Sequence, residues 1–291
     1  MNISYEFFPA RTEQGKHNLL ATLSELNATN PDFYSVTYGA LGSAQDTTID
    51  TISELNSATT VSVAPHLTCV GSDIDQMTKL LDTYVTLGVT RVVVLRGDIP
   101  PAIRDIGDFH YANELVEFIK EQYNDRFNIH VAAYPEKHPQ SSNVISDIEC
   151  FVNKIKAGAD GAITQYFYNT DAYFRFVDEV QRLGVDVPIV PGIMPITNYE
   201  KLVLFSRNCE AEIPSWILSR LKHYRKDIDS LQKFGQDVVS EMCLKLKSGG
   251  VEDFHFYSMN RIEPVLSLAK NISQAEDKPL LAEDFKVKVL N

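Results

Sequence analysis

No two of the four cysteines in this sequence stand close together. Cys69, Cys150, Cys209 and Cys243 form no C-x-x-C pair. In a chain of 291 residues such spacing points to free thiols in a reducing cytosol and away from a disulfide framework. There is no H-E-x-x-H stretch and no Cys/His cluster, so no metal is expected. Neither G-x-G-x-x-G nor G-x-x-x-x-G-K-[ST] occurs, which argues against a Rossmann or P-loop nucleotide site. No apolar run approaches the roughly 18–20 residues needed to span a bilayer. The opening MNISYEFFPAR lacks the basic and then apolar regions of a secretory signal. Positive charge is also scarce: 27 Lys and Arg face 39 Asp and Glu, a formal net charge of -12. Such a surface attracts neither nucleic acid nor an anionic membrane. The expectation is a cytoplasmic protein with neither as partner.

What is present is apolar and periodic. Hydrophobic residues make up 44% of the chain, enough for two ordinary domains or one large α/β domain. Short β-branched and aromatic runs read as strands near 3–7, 33–37, 62–68, 91–96, 130–134, 161–165, 188–193 and 254–259. The spacers carry helical periodicity. Leu19, Leu20, Leu23 and Leu26 share one face. Ile74, Met77, Leu81 and Val85 share another, with Ser72/Asp73 as cap and Gly88 as stop. Val144, Ile148, Phe151, Val152 and Ile155 mark a third. Thr197 with Glu200 predicts a capping box opening a seventh helix. Extra helices follow at Ile213–Tyr224 and from Ile228 through Leu246 to Gly249-Gly250. Eightfold strand–helix alternation over roughly 270 residues predicts a single-domain α/β (β/α)8 TIM barrel spanning 1–272, with a doubly wound open sheet as runner-up. Residues 273–291 are expected to be a tail.

In such barrels chemistry sits at the C-terminal ends of the strands. Those ends carry Glu6; Thr37 and Tyr38; His66 and Thr68; Arg96 and Asp98; Tyr134, Glu136 and His138; Gln165; Gly192 before Pro195; and Tyr257, Asn260 and Arg261. Nearly every strand delivers a polar group to one rim, which packing alone does not explain. Taken singly, each has a plain structural reading. Glu6 could be a solvated strand residue, although Tyr5, Phe7, Phe8 and Pro9 would dry its surroundings. His66 could be a satisfied core histidine, Tyr134 and Tyr257 ordinary barrel aromatics, and Gln165 the cap of an interior network. Asp147, Cys150 and Lys154 recur at i, i+3 and i+7, so they form either a solvated ion-pair stripe or a charged wall touching a bound polyol or phosphate. The run RVVVLRGDIPP (91–101) ends a buried strand on Arg96-Gly97-Asp98. An adhesion tripeptide there would need an exposed loop in a secreted protein, and the sequence offers neither.

The segments YEFFPAR (5–11), SVTYGA (35–40), APHLTC (64–69), LRGDIP (95–100), VAAYPEKHP (131–139), AGADGAITQYFY (157–168), IVPGIMPI (189–196) and DFHFYSMNR (253–261) occur in an order and spacing that resemble the methylenetetrahydrofolate reductases. The resemblance covers residues 3 to about 271 and is to the bacterial type, which is the catalytic barrel alone. It implies non-covalent FAD and ping-pong hydride transfer from NADH or NADPH through the flavin to 5,10-methylenetetrahydrofolate, giving 5-methyltetrahydrofolate for methionine synthesis. Relatives form dimers or tetramers, so it also implies a homo-oligomer. By position Glu6 resembles the general acid. Protonating N10 opens the methylene bridge to a 5-iminium cation, and a carboxyl in a partly dry site keeps its proton near neutral pH. Asp98 resembles the aspartate beside the flavin pyrimidine edge, where its charge favours hydride donation and the cationic iminium. Thr37, His66, Arg96, Gly97, Asp98, Tyr134, His138, Asp147 and Lys154 match FAD-contacting positions. Gln165, Phe205 and Arg261 match substrate-side positions, with Phe205 suited to stacking on the pterin or a folded nicotinamide.

Three features depart from the family pattern. Ala10 stands where many relatives have a second proline. Cys150 stands where asparagine is frequent, so no adenosine contact is assigned to it. The tail has no counterpart. Two other barrel readings fit less well. An amino-acid-oxidising flavoenzyme would not explain the ordered segments, and a phosphate-binding lyase would want glycine-rich loops after strands 7 and 8.

Overall fold

The computed structural model describes residues 1–38, 43–97 and 107–274. Among these residues nine parallel strands form one sheet: β1 (Asn2–Phe7), β2 (Phe33–Val36), β3 (Ser62–Thr68), β4 (Arg91–Leu95), β5 (Asn128–Ala133), β6 (Gly161–Thr164), β7 (Ile189–Val190), β8 (Gly192–Ile193) and β9 (Asp253–Tyr257). Their order is β7-β6-β5-β4-β3-β2-β1-β9-β8. The two ends of that order are neighbours in the chain, joined through Pro191. β7 pairs with β6 and β8 pairs with β9, so the sheet runs round into a barrel. The expected seventh strand, 188–193, is therefore one strand in two halves. Pro191 has no N–H to give a ladder, but its carbonyl accepts from His255 N at 3.1 Å. The doubly wound alternative is excluded, because an open sheet would leave β7 and β8 at distant edges.

The helices are α1 (Glu13–Leu26), α2 (Ser43–Ala58), α3 (Ile74–Thr86), α4 (Ala112–Tyr123), α5 (Val144–Lys156), α6 (Thr170–Arg182), α7 (Tyr199–Cys209), α8 (Ser215–Tyr224), α9 (Ile228–Ser248) and α10 (Val265–Gln274). Side-chain caps fix several starts. Asp73 and Gln76 form a reciprocal capping box at α3, and Asn143 receives Ser146 N at 2.9 Å at α5. Two expectations shift. Ile74 is 47% exposed, and the buried face of α3 is Met77, Leu80, Leu81 and Tyr84, one step round the helix. The cap of α7 is Asn198, which accepts from Lys201 N at 2.8 Å, instead of Thr197. Asn is the stronger cap and sets the start one residue later. The extra helices before the last strand are α8 and α9. α10 runs past residue 272 to Gln274, and the rest of the expected tail lies outside the described residues, as do Asp98, Pro100 and Pro101.

Side chains alternate across each strand, which builds two cores. On β1, Ile3, Tyr5 and Phe7 face the helices, where Tyr5 stacks on Tyr34 and Phe256 and Phe7 stacks on Tyr34. Ser4 and Glu6 take the other face, into the barrel. There Phe33, Ala64, Val93 and Ile163 pack together, and Phe33 lies against His130 and His255. Of the aromatics beside Glu6 in sequence, Tyr5 and Phe7 thus point away from it, contrary to expectation, while Phe8 lines the same cavity as the acid. Its dryness comes from the barrel interior.

The seam at strand seven depends on Gly192. A Cβ there would lie 2.1 Å from Thr164 O and 2.5 Å from Tyr257 Oη. Gly192 N also donates to Thr164 Oγ1 at 2.9 Å. Gly192→Ala is expected to destabilise the fold by on the order of 2–3 kcal/mol through overpacking against backbone. A urea midpoint that does not move would show that the seam can relax.

Candidate active site

A cavity of about 1510 Å³ opens at the C-terminal ends of the strands. Its wall is assembled from almost every strand: Glu6 from β1, Thr37 beyond β2, His66 from β3, Arg96 and Gly97 beyond β4, Tyr134 and His138 beyond β5, Gln165 beyond β6, Met194 beyond β8 and Tyr257 from β9. One face of α5 adds Asp147, Cys150 and Lys154, and α7 adds Phe205. No single local signal predicts this convergence. It follows from parallel strands that all end on one rim.

Glu6 is 9% exposed, and burial raises its carboxyl to about 8, so it is protonated at neutral pH. His66 Nε2 lies 3.5 Å from Glu6 Oε2, but burial lowers the His66 imidazole to about 4. Both partners are therefore neutral at pH 7, and the contact is a close approach of an acid and a neutral imidazole, not an ion pair. His66 Nε2 is buried with no hydrogen-bond partner among the described residues. It is consequently not a satisfied core histidine. Deeper in the barrel His255 is satisfied: its Nδ1 lies 2.7 Å from Ser4 Oγ, and its pKa too is well below the usual value through burial. His130 is lowered to about 4, again chiefly by burial.

The α5 wall is built differently from an ion-pair stripe. Asp147 is buried and accepts from His138 N at 3.0 Å and Ser141 Oγ at 2.9 Å, so it organises the loop after β5. Lys154 Nζ donates to Ala132 O at 2.5 Å, and burial lowers its ammonium to about 8. Across the cavity Arg96 reaches Gln140 Oε1 through one guanidinium nitrogen, while its buried Nε has no partner among the described residues. Gly97 sits at φ +85°, a left-handed conformation that favours glycine, and a Cβ there would meet Thr68 Cβ at 3.0 Å. At the other end Gln165 Oε1 accepts from Tyr166 N at 3.0 Å, and Tyr257 Oη donates to Thr164 O at 2.6 Å.

The family model described as methylenetetrahydrofolate reductase matches residues 1–273 of the chain. The chain belongs to the methylenetetrahydrofolate reductase family. It is 37% identical over 265 residues to the 5,10-methylenetetrahydrofolate reductase of Pectobacterium carotovorum, covering 90% of this chain and 87% of that one. With the Escherichia coli K12 enzyme of the same name it shares 36% over 263 residues, covering 90% and 88%. A maize methylenetetrahydrofolate reductase (NADH) is 32% identical over 94% of this chain, which spans 48% of that protein. Among solved structures, an uncharacterised Clostridium thermocellum protein that binds two copies of 5-methyl-5,6,7,8-tetrahydrofolic acid superposes with a TM-score of 0.63 at 16% identity, over 93% of this chain and 94% of that one. A Xanthomonas albilineans dihydropteroate synthase reaches 0.52 at 11%, covering 94% of each. These structural likenesses show the fold alone.

Set against the family resemblance in the sequence, the cavity gathers Glu6, Thr37, His66, Arg96, Gly97, Tyr134, His138, Asp147, Lys154, Gln165 and Phe205. Arg261 is exposed and is not among the lining residues, and Asp98 lies outside the described residues. Glu136 turns to a smaller neighbouring cavity of about 390 Å³ and accepts from Glu212 N at 2.9 Å. Sequence reasoning missed Tyr166, Cys209, Met194 and Met259 as wall residues. Tyr166 directly follows Gln165, and its hydroxyl meets Ser206 Oγ at 3.1 Å and Cys209 Sγ at 3.2 Å. Only the placement of α7 over the rim reveals that cluster. Among the described residues no group of three or more His, Cys, Asp or Glu could hold a metal ion, and no helix is long and apolar enough to cross a membrane.

Burial of Glu6 has a measurable signature. Its folded pKa, about 8, lies above the usual 4.5, so the protein loses stability as pH rises through that interval. The slope is at most ~1.4 kcal/mol per pH unit for one group. Glu6→Gln removes the penalty. Its melting temperature should exceed that of the parent at pH 8, and the gain should shrink as pH falls toward 4.5. A gain that does not vary with pH would mean that Glu6 is ionised in the folded protein. Below pH 6.5 both proteins should weaken together, because His66 and His130 stay neutral until about pH 4 when folded but charge near 6.5 when unfolded.

Proposed function

We propose that this chain reduces 5,10-methylenetetrahydrofolate to 5-methyltetrahydrofolate with NADH (or NADPH), by ping-pong transfer through a non-covalent FAD held in the 1510 Å³ cavity. The observation that carries this reading is Glu6, a protonated carboxyl at the base of the rim in a chain of this family. The maize relative is named for NADH, which favours that nucleotide. The product would feed methionine synthesis in the cytoplasm, and the working form would be a homo-oligomer.

The residues present fit a flavin dinucleotide. The unpartnered Nε of Arg96 and the ammonium of Lys154 offer cationic donors for a diphosphate or a ring carbonyl. Gly97 has no side chain to obstruct a flat ring approaching the strand end, and Thr37, His66, Tyr134, His138 and Asp147 complete the cradle. Bound there, the flavin would take hydride from the reduced nicotinamide and pass it to the folate. Glu6 donates its proton to N10 of the substrate, which turns that nitrogen into a leaving group and opens the methylene bridge. Neutral His66 at 3.5 Å neither repels the acid nor strips its proton. Gln165 hydrogen-bonds the pterin, Phe205 stacks on whichever ring occupies the site, and Arg261 is assigned to the substrate side by resemblance. Asp98 is likewise assigned, to the flavin pyrimidine edge, where its negative charge would favour hydride donation and the iminium cation.

Pure protein should be yellow and should bleach with NADH. A colourless protein that neither binds FAD nor bleaches would sink the proposal. Glu6→Gln should leave reduction of the flavin by NADH nearly intact while slowing folate reduction by roughly 10²-fold or more, the usual worth of a positioned acid. Equal loss in both half-reactions would make Glu6 structural. Asp98→Asn should raise the flavin potential and slow the folate half-reaction more than the nucleotide one, and an unchanged potential would refute its electrostatic role.

A further inference from the structure

The turn after β9 is unusual in its backbone and in what it holds. Met259 and Asn260 have φ of 55° and 54°, two consecutive left-handed residues of which neither is glycine. Such conformations are costly and persist where the surroundings enforce them, often at functional sites. The Asn260 amide lies along the chain just beyond β1: Oδ1 accepts from Phe8 N at 2.8 Å and Nδ2 donates to Phe8 O at 2.9 Å. Buried Ser258 donates from Oγ to Glu6 O at 2.5 Å, and its backbone N approaches the same oxygen at 3.3 Å. The same hydroxyl accepts from Asn260 N at 3.1 Å, which ties the two holders together. From the other side Thr37 N donates to Phe7 O at 3.0 Å. The carbonyls of Glu6, Phe7 and Phe8 are thus all engaged, at the end of β1 and just past it. Met259 and Phe8 both line the cavity beside Glu6.

We infer that Ser258 and Asn260 are positioning residues for the acid at Glu6, forming a backbone clamp that fixes where the carboxyl sits and holds Phe8 and Met259 in the cavity wall beside it. The inference rests on the reading of Glu6 as proton donor to the folate. β1 pairs Glu6 with Ser35 and Tyr257 and Phe7 with Val36, and the ladder ends there, so the Asn260 amide secures the next residue, Phe8, directly behind the acid. Displacements of about 1 Å at a reacting group cost on the order of 10²-fold in rate. The other titratable groups against Glu6, His66 and Tyr257, are uncharged at neutral pH, so no counter-charge holds the carboxyl in place.

Asn260→Gly is the informative variant, because glycine accepts the left-handed backbone while the clamp is lost. In the holoenzyme it should slow the folate half-reaction roughly 10- to 100-fold and leave flavin reduction by NADH within about twofold. The pH midpoint of the folate half-reaction should fall from near 8 toward the ordinary carboxylate range as water reaches Glu6. Ser258→Ala, which retains the backbone contact, should give a smaller effect in the same direction. Asn260→Asp, which keeps the acceptor and loses the donor, should fall between parent and glycine, and it serves as the test if the glycine variant does not fold. Equal slowing of both half-reactions, or an unmoved pH midpoint, would reduce the turn to a fold element and overturn the inference. Glu6→Gln measured alongside separates the two ideas. If it slows both half-reactions equally, the acid assignment fails and takes the clamp's purpose with it. If it is selective while Asn260→Gly is not, only the clamp fails.

Discussion

Closure of the sheet at strand seven is the constraint on which the rest depends. Two residues on either side of Pro191 pair in opposite directions, β7 to β6 and β8 to β9. With that seam in place, the alternation of side chains gives the barrel a true inside. Everything sent inward is taken from water, whether it is Phe33 or a carboxyl. The chemistry of the rim follows from this separation. Glu6 shares its strand with two aromatics that point the other way, and its altered proton affinity arises from what lies across the barrel, including the neutral imidazole of His66.

The strands were legible because a parallel strand covered on both faces reads as a short apolar run, and eight such runs at regular intervals leave few architectures. Most of the candidate wall was legible too, since in a barrel the residue just beyond each run faces one rim. What escaped was set by packing between elements. The division of strand seven depends on register with two different neighbours. The face of α3 is rotated by where it meets the barrel, leaving Ile74 outside. The cap of α7 moved from Thr197 to Asn198 because adjacent residues competed for one role. Tyr166, Ser206 and Cys209 form a cluster that exists only once α7 lies over the rim. Glu6 is dry, but chiefly through the barrel interior: of its aromatic neighbours in sequence, Tyr5 and Phe7 turn outward and only Phe8 shares its cavity.

The interior of the barrel also shows a site built at the expense of stability. An apolar or amide residue in place of Glu6 would suit the fold better above pH 4.5, and unpartnered His66 Nε2 and Arg96 Nε carry further desolvation costs. His66 Nε2 and Arg96 Nε stand on the rim with Lys154, held short of solvent on the same wall, while Tyr84 Oη, His130 Nδ1 and Glu136 Oε1 are unpartnered elsewhere among the described residues.

The separation between Phe8 and Asn260 is 252 residues, and the Ser258 contact to Glu6 spans the same length. Such contacts carry the full entropic cost of closing almost the entire chain. During synthesis the first strand therefore emerges long before the partner that completes its surroundings. β1 and its acid wait, with apolar Tyr5 and Phe7 uncovered on one side, until the last strand and the turn behind it leave the ribosome. The acid's surroundings are thus completed by the same pairing of β1 with β9 that covers the edge of the first strand.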